Sequence, residues 1–399
     1  MSNPVIISAA RTAGGKFGGA LSKLSGPELG AIALKAAVQR AGIKGEDVDE
    51  VILGTGWQAG VGANPARIAM YGAGIPSSVP AFTVNIRCGS GLRTIMLAAD
   101  RIRLGDAKVI VAGGMESASN VPYLLPKARW GYRMGEQKVL DALHKDGFFC
   151  PVAQHLMGEL CEEIAAEYKI SRQEQDEFAL ASHQKAAAAT AAGLFKDEIV
   201  PVAVKDKKMG EIVCDTDEIF RADTSLEKLA KLPPIYKKDG GTITAGSSSA
   251  LCDNGAIVIV ADSEWAKERG LKPLAEILGY SAAALDAERF PLGPVVAMPK
   301  ALSKAGLKLS DMDLIEINEA FAAQVIACHR EMPFDMEKLN VHGGAQNGDG
   351  KALGHPIGAT GAKITTTLIN ALGQQGKELG IASACIGGGQ GVAMVVKKL

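Results

Sequence analysis

No apolar run in this sequence approaches the ~20 residues that a membrane-spanning helix requires. A membrane-embedded protein is therefore not expected. The first apolar stretch, Pro4 to Ala10, is too short for a signal peptide and reads as a strand. The closing Lys397-Lys398-Leu399 does not read as a peroxisomal address. Paired cysteine motifs are missing too. The 7 cysteines are an odd number and include no C-x-x-C. That argues against a disulfide framework or a metal site, and for a reducing, cytoplasmic setting. Nor is there an excess of one charge. A formal net charge of −1 gives no electrostatic case for nucleic acid. A local basic patch for a phosphate-bearing ligand remains compatible with it.

What the sequence does contain points to an α/β protein. The 399 residues suggest two or three domains. Hydrophobic residues at 47% and charged residues at 22% are those of a globular chain. The 47 glycines favour many tight turns. Ser25, Pro27 and Gly42 punctuate one helix as cap, first turn and stop. Leu92, Ile95, Met96, Ala99 and Ile102 mark the apolar face of another, stopped by Gly105. Strands Val51–Leu53 and Val109–Ala112 alternate with them, a βαβ grammar that predicts a largely parallel sheet.

The same grammar returns in the last third. Ala41-Gly-Ile-Lys44 is answered by Ala305-Gly-Leu-Lys308, and Asp47-Val-Asp49 by Asp311-Met-Asp313 at the same offset. The strand at Val51 has a counterpart at Leu314–Ile317, and Ile110–Gly114 has one at Ala384–Gly388. Two related halves are expected. The intervening stretch does not repeat. It holds a capping box, Ser171-x-x-Glu174, before an Ala-rich helix, and then a charged, loop-rich part from Lys205 to Lys238. It reads as an insertion of the kind that builds a binding site. The expected units are 1–120 with 251–272 as the first half, 121–250 as the inserted loop domain, and 273–399 as the second half.

Four segments carry candidate chemistry. In Asn85-Ile-Arg-Cys-Gly-Ser-Gly91, Cys88 stands before a helix, where partial positive charge and free N–H groups favour a thiolate and a lowered pKa. A plain buried cysteine fits that segment equally well. His355, in Gly354-His-Pro-Ile-Gly-Ala-Thr-Gly361, holds the matching place in the second half. If the two helix starts face each other, it meets Cys88 as base to nucleophile; otherwise it is an incidental histidine in a glycine-rich turn. Cys385 ends a strand at the run Gly387-Gly-Gly389, whose N–H groups suit an oxyanion. The alternative is a core cysteine at a strand end. Asn318 and Glu319 stand at the carboxyl edge of the sheet, where ligands bind in open α/β sheets, or else cap the next helix.

Taken in order, these segments, together with Gly113-Gly-Met-Glu-Ser117, Met157-Gly158 and Asn318-Glu-Ala-Phe-Ala-Ala-Gln324, resemble the thiolases over essentially the whole chain. The resemblance implies a thiolase-like α/β fold, two pseudo-repeated halves in an α-β-α-β-α sandwich with an inserted loop domain. It implies Cys88 as acyl-accepting nucleophile, His355 as its base, and Cys385 as the acid/base at the substrate α-carbon. Asn318 would hold a water for the enolate, and the N–H groups of Cys88 and Gly387 would form the acyl oxyanion hole. Ser249, Met157 and Phe321 would line the pantetheine channel, with Arg221 at the adenine end. Coenzyme A thioesters enter as substrates, and no resident cofactor or metal is implied. The family precedent is a homodimer or homotetramer.

The expected activity is acetyl-CoA C-acetyltransferase, between acetyl-CoA on one side and acetoacetyl-CoA with CoA on the other. A broad-range 3-ketoacyl-CoA thiolase of fatty-acid metabolism is the alternative, and a non-catalytic acyl-CoA carrier a remote one. Three departures bear on specificity. Where thiolases carry one residue before Ala352, this chain has Gln346 to Lys351, whose Asn347-Gly348 and Asp349-Gly350 read as turns of a surface loop or as a changed pocket roof. His342 replaces an asparagine. Leu156 replaces a histidine, with His155 displaced by one position.

Overall fold

The computed structural model describes residues 3–206, 210–344, 346–348, 350–351 and 353–399. Nine strands form the frame. The first five are β1 (Pro4–Thr12), β2 (Glu50–Gly54), β3 (Ala81–Val84), β4 (Val109–Ser117) and β5 (Cys252–Asp262). The last four are β6 (Ala275–Ala284), β7 (Leu314–Ile317), β8 (Leu379–Ile386) and β9 (Gln390–Lys398). They run in the order β7-β8-β9-β6-β1-β5-β4-β2-β3, joined where β1 meets β6. Outward from that join each side repeats one pattern. The next strand is antiparallel (β5, β9), the one after it antiparallel again (β4, β8), and the following one parallel (β2, β7).

The sheet is therefore mixed, not largely parallel. The reason lies in the returning strands. β5 comes back after the insertion, and β9 follows β8 through the tight turn Gly387-Gly388-Gly389, whose last two residues take φ of 92° and 82°. A turn that short can only reverse direction.

Eight helices matter here: α1 (Gly26–Ala41), α2 (Pro65–Gly72), α3 (Ser90–Leu104), α4 (Met157–Glu167), α5 (Arg172–Ala191), α6 (Gly293–Ala305), α7 (Ala322–Glu331) and α8 (Thr360–Gln374). The caps stand where the sequence puts them. The Ser25 hydroxyl accepts from Glu28 N–H, the Glu28 carboxylate accepts from Ser25 N–H at 2.8 Å, and Gly42 closes α1 at φ 68°. The Ser171–Glu174 box opens α5. Each such cap is worth about 1 kcal/mol.

Helices α3 and α8 form the middle layer. Leu92, Ile95 and Met96 of α3 and Ala362, Leu368 and Leu372 of α8 share one buried cluster with strands of both halves, among them Ile110, Val258, Ala382 and Met394. Leu34 and Ala37 of α1 and Met70 of α2 cover the outer face of the first half. Met298 and Leu302 of α6 and Val325 of α7 cover that of the second. The insertion is tied in by charge. Arg11 of β1 is fully buried between Glu198 and Asp217, each 2.7 Å away.

The two middle helices touch at their starts through glycine. A Cβ at Gly361 would collide with the backbone nitrogen of Leu92, and one at Gly91 would lie 2.9 Å from the nitrogen of Ala362. Gly361→Ala is therefore expected to destabilise the fold by about 1–3 kcal/mol through overpacking, read as a lower denaturant midpoint. A midpoint equal to that of the parent would show that the helices separate without cost.

Candidate active site

Cys88 stands at the elbow between β3 and α3. The backbone bends there because Arg87 takes a left-handed φ of 59°, a conformation costly for a residue with a side chain. Two interactions hold it. The Ser90 hydroxyl accepts from Ile86 N–H at 2.9 Å and donates to the Arg87 carbonyl at 2.7 Å. The Arg87 guanidinium donates to the carbonyls of Asp146 and Gly147, fastening the elbow to the insertion.

His355 reaches the same point from the second half. Its N–H donates to the Ala250 carbonyl at 3.0 Å, and its ring Nε2 lies 3.2 Å from Cys88 Sγ. Its Nδ1 lies 2.6 Å from the Thr360 hydroxyl, which itself donates to the Pro356 carbonyl at 2.9 Å. A hydroxyl has one proton to give. Thr360 thus accepts from Nδ1–H, and Nε2 keeps its lone pair toward the thiol. Burial holds the imidazole pKa down to about 3, with the positive charges of Lys363 and Arg87 adding to it. The imidazole is neutral, with its lone pair aimed at sulfur.

Burial also decides the thiol. Cys88 packs with Trp57, Ile357 and Phe148, and desolvation raises its pKa above the ordinary thiol value. Arg87 and the N–H groups of Gly387 and Cys88 itself pull the other way without winning. The helix start alone suggested a lowered pKa. The apolar surroundings reverse the sign, and they come from residues far away in sequence. The resting pair is thus thiol and imidazole, not thiolate and imidazolium.

Cys88, His355, Gly387, Met157, Ser249 and Phe321 line one cavity of about 70 Å³, together with Arg87, Phe148, Tyr236 and Phe290. Asn318, 2% exposed, places Nδ2 3.5 Å from His355 Nε2, and its Oδ1 has no partner among the described residues. Helix α7 starts at Phe321 without a side-chain cap, so capping does not explain Asn318. Glu319 accepts from Ser182 at 2.9 Å and from Asn340 at 2.7 Å, bracing the loop. Cys385 lies behind the cavity wall rather than on it, in a cluster with Phe290 and Phe321. Burial, then its neighbours Cys88, Cys328 and Cys161, push its pKa well above the ordinary value. Arg221 is not at this cavity. It lines a separate, net positive one of about 310 Å³ with Lys231, Lys228 and Asp223, the last two ion-paired at 2.8 Å.

Two residues that sequence reasoning passed over are central. Thr360 sets the histidine tautomer. Glu116, inside the quoted Gly113–Ser117 motif, accepts from the N–H groups of Gly56 at 2.7 Å, Trp57 at 3.3 Å and Gly358 at 2.8 Å, and from the Thr55 hydroxyl at 3.0 Å. Burial raises its pKa to about 7 despite those bonds. It binds the loop after β2 to the loop after His355. The three departures also find places. The Gln346–Gly348 segment pairs with Ser248–Ser249 and with Gly350–Lys351, a hairpin laid against the strand that carries Ser249. Ala345, Asp349 and Ala352 lie outside the described residues. His342 is buried, edge-on to Phe195 at 5.9 Å. His155 is exposed beside Glu159 at 3.5 Å and away from the cavity. Among the described residues, no cluster could hold a metal and no helix is long and apolar enough to cross a membrane.

Alkylation follows the thiolate fraction. Because burial penalises that form at Cys88, iodoacetamide should react faster as pH rises through and beyond the ordinary thiol range, with no plateau near neutrality. A plateau beginning in acid would reveal a thiolate–imidazolium pair and contradict the neutral one.

Comparison with known proteins covers the full length of the chain. Residues 4–264 match the thiolase N-terminal domain and residues 271–398 the thiolase C-terminal domain. An acetyl-CoA acetyltransferase of Cupriavidus necator is 48% identical over 398 residues, covering 100% of both chains. One of Escherichia coli is 48% identical over 400 residues, again covering 100% of both. The crystal structure of the Bacillus anthracis acetyl-CoA acetyltransferase superposes with a TM-score of 0.96 at 45% identity, covering 100% of this chain and 99% of that one. Matched from end to end in both halves, the chain belongs to the thiolase family.

Proposed function

We propose that this chain is an acetyl-CoA C-acetyltransferase, an acyltransferase that interconverts two molecules of acetyl-CoA with acetoacetyl-CoA and CoA. The observation that carries the reading is the 3.2 Å approach of His355 Nε2 to Cys88 Sγ at the base of a small, aromatic-walled cavity. The full-length relatives that bear this name support the choice of acyl group. So does a cavity of about 70 Å³ closed by Phe148, Tyr236, Phe290 and Phe321, which leaves little depth for a long chain.

The steps follow from the placement of the residues. Cys88 attacks the thioester carbonyl as His355 takes the thiol proton. The N–H groups of Cys88 and Gly387 receive the oxyanion. The tetrahedral adduct collapses, the leaving CoA sulfur takes the proton of Cys385, and acetyl remains on Cys88. The Cys385 thiolate so formed then takes an α-proton from a second acetyl-CoA. Asn318, through a water, and the protonated His355 stabilise the enolate oxygen, and the carbanion displaces Cys88, which takes its proton back from His355. Thioester exchange keeps the intermediate near the energy of the substrate, so both directions stay open. Met157, Phe321 and Ser249 would flank the pantetheine arm. The basic cavity at Arg221, Lys228 and Lys231 would take the nucleotide end of CoA.

The setting belongs to the proposal as well. The 7 cysteines are free, which suits a reducing cytoplasm. Trp130 at 84% and Met134 at 92% exposure stand on the insertion, an apolar surface suited to contact between copies in a homodimer or homotetramer.

Mass spectrometry after mixing with acetyl-CoA separates the roles. Cys88→Ala should take up no acetyl group. Cys385→Ala should still be acetylated yet lose condensation by about 10²–10⁴-fold, the usual weight of a general acid–base group. If the parent protein stays unacetylated, a carrier is the better description. Replacing Gln346–Lys351 by one residue tests chain length. Opening the wall beside Ser249 should raise the relative rate on longer 3-ketoacyl-CoA by about 10-fold or more. An unchanged ratio would remove the hairpin from specificity, and a parent enzyme that prefers the long chain would replace the proposed activity with the broad-range one.

A further inference from the structure

Lys363 stands one turn into α8 and is 3% exposed. A buried ammonium is costly unless its protons and charge are matched. Its protons go to the carbonyls of Leu353 and Gly354, the latter at 3.2 Å, the two residues that lead into His355. Gly354 takes a φ of 75°, so the chain turns sharply there, and the Lys363 contacts act beside the Ala250 carbonyl and Thr360 in fixing where the imidazole lands. The charge is matched by Asp217 and Glu198, the carboxylates that flank Arg11, with Glu316 of β7 and Cys252 of β5 also facing it.

We propose that Lys363 is a positioning residue for His355: it clamps the Leu353 and Gly354 carbonyls so that Nε2 faces Cys88, and it ties that loop to the buried charges of the insertion. The inference rests on reading His355 as the base for Cys88. A second consequence is electrostatic. The groups facing the imidazole are Lys363 from α8 and Arg87 and Cys88 from the elbow, and both cations oppose a proton on His355. Removing one lets the ring protonate at higher pH, where it no longer accepts the thiol proton.

The test is the pH profile of Cys88 acetylation by acetyl-CoA in a single turnover. Lys363→Met should slow acetylation by about 100-fold, the cost of an ångström-scale misplacement, and move the acid limb to higher pH. Lys363→Arg should restore most of the rate and the limb. If Lys363→Met does not fold, Lys363→Gln keeps a donor without charge and must show the shifted limb. Parent-like rate and limb in a folded Met or Gln variant overturn the proposal. So does a uniform slowing with an unmoved limb that Arg fails to rescue, since that is loss of structure alone. His355→Ala, run in parallel, separates the two claims. If it acetylates normally, the base assignment is wrong; if it is dead while Lys363 variants are normal, only the clamp is.

Discussion

The approach of α3 to α8 sets everything else in the site. Each half bends through glycine and starts a helix, and the two helix starts press together. The contact exists because Gly91 and Gly361 carry no side chain, and because Gly114 and Gly54 let the Gly358 carbonyl come close. A Cβ at any of these positions meets backbone, which cannot rotate away. The 3.2 Å between Cys88 and His355 is a consequence of that packing. Neither residue could be positioned by its own half. Glu116 then locks the arrangement from the side. One carboxylate gathers donors from the loop after β2 and the loop after His355, so those two loops share a single anchor.

Burial of this junction has a chemical consequence. In water a cysteine at a helix start becomes more acidic. Between Trp57, Phe148 and Ile357 the desolvation of the anion outweighs that pull, and the imidazole is held neutral by the same burial. A resting ion pair would have to be undone before the sulfur could act in a dry cavity. A neutral pair instead creates charge only as the thioester carbonyl arrives. On the proposed mechanism the N–H groups of Cys88 and Gly387, already directed at the sulfur, then receive the charge that forms on substrate oxygen.

Much of this was legible in the residues, and the part that was not has a common cause. The caps at Ser25 and Ser171, the stops at Gly42 and Gly105 and the internal repeat are local patterns, and each appears in the fold where it stands in the sequence. The meeting of Cys88 with His355 followed from placing two helix starts in equivalent positions. Strand direction did not follow, because β5 is buried on both faces and carries no alternation to mark it. The sign of the Cys88 shift, the tautomer set by Thr360 and the anchoring by Glu116 each depend on neighbours contributed by distant segments. Composition also hid the cationic cluster of Arg221, Lys228 and Lys231, which line one cavity on a chain whose charges nearly cancel.

The two thiols show why position, and not residue type, divides the work. Cys88 lies on the cavity surface beside the His355 imidazole and two N–H groups. Cys385 lies behind the wall at 1% exposure, at the end of a strand and next to three other cysteines that disfavour its anion. On the proposed mechanism that contrast is required. A nucleophile must reach the carbonyl carbon and tolerate charge near it, whereas an acid/base at carbon must not compete for the acyl group. A thiol whose anion is suppressed until the leaving CoA takes its proton meets the second condition. The strand end that buries Cys385 continues directly into the glycine turn that supplies the Gly387 N–H, so one backbone segment serves both the proton transfer and the oxyanion.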